Sequence, residues 1–260
     1  MRGAILNQYC FIQCVGKSKV PDKNEWKTSV SRGINRLCYI NGGEGGYYLR
    51  GEKYSFKKDM LYLLPAYEHI PTWSSYESME KRLDHTFVNF EMIPPIITKE
   101  VIEFDPHKDP MVKTAFEMLD KIAESTGCRM YNLKSDELYY LKATVVYIIN
   151  KIVAECNIKI LDDKMLISAL ETMHVGIATD ISIREIAEKS FISYDGFIRR
   201  FQRALGVTPY TYLKQLRIRT ATALRDEGAT LEEAAEKCGY SDAAALLHAI
   251  TNEKRLPIIK

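Results

Sequence analysis

The side chains in this sequence best suited to chemistry fall on one short helical stretch. Tyr194, Asp195, Ile198, Arg199, Gln202 and Arg203 lie opposite Phe197, Phe201 and Leu205, whose four-residue spacing predicts a buried stripe. A guanidinium on the free side of such a helix offers two parallel N–H donors. They fit O6 and N7 of guanine and discriminate between bases by about 1–3 kcal/mol. Tyr194, Asp195, Ile198 and Arg199 are therefore candidate base readers, with His248 further on. Ser193, Gln202, Arg203, Lys214, Arg217 and Ser241 are candidates for phosphate oxygens. This is the chemistry of binding. The signatures of turnover are missing: there is no Gly-rich phosphate loop, no Gly-x-Ser-x-Gly elbow and no His-Glu-x-x-His.

The elements that must position these residues come as a repeat. Residues 181–205 are echoed by 229–250, with Ser182, Ala187, Glu188, Lys189 and Ser193 facing Thr230, Ala235, Glu236, Lys237 and Ser241 at one constant offset. Each copy reads as a short amphipathic helix, a turn ending in serine, and a second helix, which is the helix-turn-helix pattern. Ser182 with Glu185 has capping-box spacing, and Ser193 caps the second helix with Asp195 in its first turn. Gly206 stops that helix, and Thr208-Pro209 starts another. In this third helix Tyr212, Leu213, Leu216 and Ala221 form the core face, while Lys214, Arg217, Arg219 and Arg225 are expected outside.

The segment IREIAEKSFISYDGFIRRFQRALGVTPYTYLKQLRIRTATALR, followed by LEEAAEKCGYSD, resembles the DNA-binding domain of AraC/XylS-type transcription regulators. Ala187, Ser193, Phe197, Arg199, Phe201, Gly206, Pro209, Tyr212, Arg217 and Ala221 occupy the places of the family pattern. The resemblance implies double-stranded DNA as partner. It also implies two recognition helices in successive major grooves, about 34 Å apart. The second copy departs from the pattern. The family's serine, phenylalanine, arginine and phenylalanine are here Ala244, Leu246, His248 and Ile250. The second unit is thus expected to read bases less than the first.

A net charge of +2 over 260 residues makes any electrostatic footprint local, and Arg199, Arg200, Arg203, Lys214, Arg217 and Arg219 form such a cluster. The six cysteines have no Cys-x-x-Cys pair, which fits reduced thiols in the cytoplasm. The start MRGAILNQYCF lacks a signal-peptide pattern. The most apolar helix, near 139–154, is interrupted by Lys142 and Lys151, so no membrane association is expected.

Residues 4–92 read as short strands divided by turns, among them Gly42-Gly43-Glu44-Gly45-Gly46, taken as a hairpin. The piece GGEGGYYLRGEKYSFKKDMLYLLPAYEHI resembles the small cupin-type barrel that precedes the DNA-binding domain in many AraC-type regulators. Such a barrel encloses one small ligand, and a sugar is one candidate. Tyr48, Tyr62, Tyr67, His69 and Trp73 are the candidate lining, though all five would equally serve as core. His69 and His85 form no His-x-His pair, so no metal or other cofactor is expected.

Three helices are predicted near 110–125, 135–156 and 162–176. In the second, Leu138, Leu141, Val145, Ile148 and Ile152 follow the seam spacing of paired helices. That spacing suits either packing on the barrel or a homodimer. The expected class is α+β: a cupin-like barrel domain at 1–106, a helical connector at 107–177 and an all-α domain with two helix-turn-helix units at 178–260. The expected function is that of a non-enzymatic, effector-responsive transcription regulator. A cupin-type enzyme carrying a DNA-binding tail is the alternative, and a DNA-architectural protein without a ligand is a third possibility.

Overall fold

The computed structural model describes residues 9–20, 33–68, 70–126, 135–226 and 228–255. Its contacts divide into two units, 1–161 and 162–260. The segment expected as a connector is shared between them: two of its helices belong to the first unit and the third to the second.

The first unit is built on strand alternation. β1 (Tyr9–Lys19), β2 (Asn35–Gly42), β5 (Leu61–Leu64), β7 (Asp84–Ile93) and β9 (Ile102–Phe104) form an antiparallel sheet in the order β1-β7-β2-β5-β9. Leu37 lies opposite both Leu63 and Val88, so one register places apolar side chains on a common face. That face packs against α1 (Pro110–Thr126) and α2 (Ser135–Glu155), with Phe116, Leu119, Val145 and Ile148 in one core with Leu37, Val88 and Phe90. Asp109 starts α1 by accepting from the Met111 and Val112 amides at 2.8 and 3.3 Å, and its other oxygen meets Lys151 of α2 at 2.6 Å.

The opposite face of the sheet carries Cys38, Ile40, Tyr62 and Leu64 in a second core. Half-buried Tyr47 and Phe56 pack against it, Tyr47 coming from the sheet β4-β3-β6, which comprises β3 (Gly45–Leu49), β4 (Glu52–Ser55) and β6 (Thr72–Ser74). A two-stranded ladder joins β8 (Ile96–Ile97) to β10 (Lys159–Ile160). The described ladders remain three separate sheets, so the expected barrel is an open, two-layered one.

One expectation is corrected here, and one pair of alternatives is decided. The glycine run is a corner and not a hairpin, because β2 and β3 belong to different sheets. At Gly46 a Cβ would stand 1.8 Å from the Tyr54 carbonyl, so the close crossing of β3 and β4 needs the missing side chain. The seam on α2 is internal. Leu141, Val145, Ile148 and Ile152 are fully buried in their own unit's core, which leaves them no surface for a dimer partner, and Leu138 is half-buried.

The second unit is helical: α3 (Lys164–Val175), α4 (Ile183–Lys189), α5 (Tyr194–Leu205), α6 (Pro209–Asp226), α7 (Leu231–Lys237) and α8 (Ala243–Arg255). Among the described residues no helix is long and apolar enough to cross a membrane.

Two measurements test the first unit. Ile148→Ala removes a side chain with no exposed surface and is expected to lower unfolding free energy by about 2–5 kcal/mol in urea, without changing the mass seen in sedimentation. His85 is buried on β7, and that burial, with the charge of Arg36, holds its pKa down to about 4. A folded-state pKa below the unfolded value means that the unfolded chain takes up the proton first. Stability is therefore expected to be full above pH ~6.5 and to fall as pH drops towards 4, this group contributing about 3 kcal/mol of the loss. His85→Gln should flatten the curve in that window. An unchanged pH profile would show that His85 titrates normally.

Candidate nucleic-acid interface

The first helix-turn-helix is α4, a turn and α5. The Ser182 hydroxyl accepts from the Arg184 amide at 3.2 Å and opens α4, whose Ile183, Ile186 and Ala187 are buried. Ser193 caps α5 through the Gly196 amide at 3.2 Å, and Gly206 ends it in the left-handed conformation. Phe197, Phe201 and Leu205 have no exposed surface. Phe201 meets the ring of Tyr212 edge-on at 5.7 Å, and the Tyr212 hydroxyl lies 2.9 Å from Nε2 of His174 on α3. The rotation of α5 is thereby fixed.

Its outward face carries Tyr194, Asp195, Arg199, Gln202 and Arg203, all exposed, with Ile198 half-buried beside them. Among the described residues Arg199 and Arg203 have no ion-pair partner. Arg200 differs, since its Nε donates to Asp163 at 2.7 Å. Arg184 stacks over the Tyr194 ring at 4.9 Å, a pairing across the two helices that the sequence pattern did not reveal.

The second unit repeats the scaffold with a different surface. Thr230 and Glu233 form the reciprocal capping box expected at Ser182 and Glu185. Helix α8 is capped by Asp242, which accepts from the Ala245 amide at 2.7 Å, whereas Ser241 only donates to that carboxylate at 3.2 Å. Counting from the caps, Leu246 takes the buried place of Phe197, and His248 takes the exposed place of Arg199. The outward face of α8 is Ala244, Leu247, His248 and Thr251, and His248 lies within 3.2 Å of Asn252. Between 182 and 203 five basic side chains stand against three acidic ones; between 230 and 252 one stands against four. Asp180, Glu232, Glu236 and Asp242 line an open hollow of about 790 Å³ beside the start of α8. Phosphate finds a more favourable field at α5 than at α8.

Two cations expected outside on α6 are committed inwards. Arg217 donates to the Ile177 carbonyl at 3.2 Å and the Thr179 carbonyl at 2.7 Å, so its guanidinium secures the approach to α4 instead of lying free for phosphate. Arg219 is buried, and Lys214 is half-buried.

Of the five candidate pocket residues, the four that are described do not line one hollow. Tyr62 is buried and donates to Glu103 at 2.8 Å, which makes it core. Trp73 is half-buried and donates to the Tyr54 carbonyl at 3.0 Å. Tyr48 borders a surface hollow of about 550 Å³ that Tyr62, Tyr67 and Trp73 do not line, Tyr67 is half-buried, and His69 lies outside the described residues.

A repeated capped helix pair, with a basic outward face on its first copy, is the layout of a DNA-binding module. Residues 186–257 match the family model described as a helix-turn-helix domain. No curated protein matches the chain. Among solved structures the chain is similar to ToxT from Vibrio cholerae at 10% identity, over 94% of this chain and 92% of that one, with a TM-score of 0.55. It is also similar to an apo variant of ToxT from Vibrio cholerae, at 12% identity over 95% and 92%, with a TM-score of 0.55. A third structure, ToxT from Vibrio cholerae bound to (E)-4-(8-methylnaphthalen-1-yl)but-3-enoic acid, gives 12% identity over 94% and 92% and a TM-score of 0.52. The C-terminal unit thus contains a helix-turn-helix domain, on a chain with the fold seen in ToxT.

The repeat itself supplies a test. Phe191, 96% exposed, sits at φ +54, where the second unit has Gly239 at φ +70. A side chain at that backbone conformation costs about 1–2 kcal/mol, and glycine returns about 0.5–1 kcal/mol of that in unfolded-chain entropy. Phe191→Gly is therefore expected to raise stability by about 0.5–1 kcal/mol in thermal unfolding. Loss of stability would mean that the phenyl ring makes contacts worth more than the strain.

Proposed function

We propose that this protein is a DNA-binding transcription regulator of the AraC/XylS type, acting in the cytoplasm, in which the two helix-turn-helix units read DNA unequally. The observation that carries the reading is Arg199, exposed on the outward face of α5 and, among the described residues, without an ion-pair partner, while the cap-matched place on α8 holds His248. Arg199, Gln202 and Arg203 address one major groove, Arg199 through two parallel hydrogen bonds to a guanine. Helix α8 contributes backbone contacts and shape, its neutral and apolar face offering few donors to base edges. The first unit serves as the receptor for a small-molecule effector. The acid bound by ToxT belongs to ToxT, but a ligand within the same fold supports a receptor role here.

Selection of sites from a random DNA pool tests the unequal reading. Arg199→Ala is expected to erase preference at one or two base pairs of one half-site, worth about 1–3 kcal/mol, and His248→Ala to change preference little. Equal relaxation by both variants would sink the model, and failure of the wild type to enrich any sequence would remove the function.

A further inference from the structure

The start of α4 carries a cation that its own helix does not favour. Arg184 is the second residue of α4 and exposed, and a positive charge in the first turn of a helix meets the positive end of the helix dipole. Among the described residues it has no ion-pair partner, not even Glu185 or Glu188 on the same helix. What holds it is the ring of Tyr194, the first residue of α5, whose centre lies 4.9 Å from the guanidinium carbon. Stacking engages the flat face of the guanidinium and leaves the N–H groups along its edges free to donate elsewhere. Among the described residues those side-chain groups have no acceptor. The second helix-turn-helix has no such pair. Counting from the caps Ser182 and Thr230, Glu232 takes the place of Arg184; counting from the caps Ser193 and Asp242, Ala243 takes that of Tyr194. Glu232 and Ala243 both line the acidic hollow beside the start of α8.

We propose that Arg184 is a further DNA-binding residue, a clamp on a backbone phosphate, with Tyr194 as the ring that holds its plane. In a helix-turn-helix the first helix crosses the sugar-phosphate backbone, while the N-terminal residues of the second reach base edges. A side chain that starts on the first helix and lies against the first residue of the second stands at the lip of the groove, where the backbone passes. A guanidinium fixed there by its face offers paired N–H donors to two phosphate oxygens, the fork geometry that makes such contacts strong. The contact carries no sequence information; it sets the register in which Arg199 meets the bases. At the matching place the second helix-turn-helix has the Glu232 carboxylate, which repels phosphate, so the clamp belongs to the first alone. This deepens the DNA-binding reading proposed above and rests on it.

The test follows the full chain binding two fluorescein-labelled duplexes over a series of salt concentrations. One duplex is enriched by the wild type from a random pool, and the other is of unrelated sequence. Arg184→Ala is expected to weaken both complexes alike, by about ten-fold at low salt, and to make the slope of log K against log[salt] shallower by about 0.9. On the unrelated duplex Tyr194→Leu should also weaken binding, and Arg184→Ala should cost less once the ring is gone, because an unheld guanidinium gives less to the complex. Glu232→Ala, the matched truncation in the second helix-turn-helix, should not weaken binding. An unchanged slope for Arg184→Ala overturns the clamp, as does a loss confined to the enriched duplex, which would make Arg184 a base reader. An equal loss for Glu232→Ala overturns it too, since truncation at either place would then merely loosen the scaffold. Strictly additive losses remove Tyr194 from the clamp. A wild type that binds neither duplex removes the regulator reading as well, whereas a wild type that binds while Arg184→Ala matches it removes the clamp alone.

Discussion

The outward face of α5 proposed for DNA depends on the burial of three side chains on the helix's opposite edge. Phe197, Phe201 and Leu205 form a single stripe, and Tyr212 of α6, itself tied to His174, closes over it. A helix with one fully apolar edge has one rotation in which that edge is dry. Arg199 lies two residues from each phenylalanine, so this rotation sends it outwards. Its exposure is thus a consequence of the core, and the geometry that would present it to a base, as proposed, is set before any DNA is present. Burying two aromatic rings and a leucine is worth several kcal/mol, more than the one cap at Ser193 or any surface ion pair on this helix.

The same scaffold carries a different surface in the second unit because its constraint is weaker. Ala221, Ala234, Ala235 and Cys238 make a core of small residues around Leu246, so α7 and α8 approach closely with little apolar volume between them. The cap moves from Ser241 to Asp242, which shifts α8 by one residue relative to α5 and brings His248 to the place that Arg199 holds on α5. The charge balance inverts at the same time. The scaffold repeats; the chemistry on it does not.

Much of this was legible in the sequence, for identifiable reasons. The strands from Leu37 to Phe90 and the helices near Pro110, Ser135 and Asp162 announce themselves through period and turn residues, and the structure places elements there. The apolar spacing on α2 was legible as well, but not its partner, because an amphipathic stripe looks the same whether it faces its own sheet or a second chain. Arg217 and Arg219 read as surface charges since periodicity cannot foresee that a long side chain will turn back to the Ile177 and Thr179 carbonyls. The described pocket candidates are dispersed for the opposite reason. Aromatic residues on successive strands all suit an interior, and only register tells which of them share a face. That register also sets Arg36 beside Asn89, a pair 53 positions apart that no local pattern brings together.

Asp163 has a consequence of a different kind. One of its oxygens caps the first turn of α3 through the Leu166 amide, and the other holds Arg200 of α5. Two helices with no shared sequence therefore share one acid. In the language of hydrogen exchange, the start of α3 and the middle of α5 are coupled parts of one cooperative segment: whatever frays the first turn of α3 also loosens the hold on Arg200. Helix α5 then gains one more unpaired cation at the moment its support weakens, so the electrostatic pull of this unit on a polyanion is tied to the order of α3.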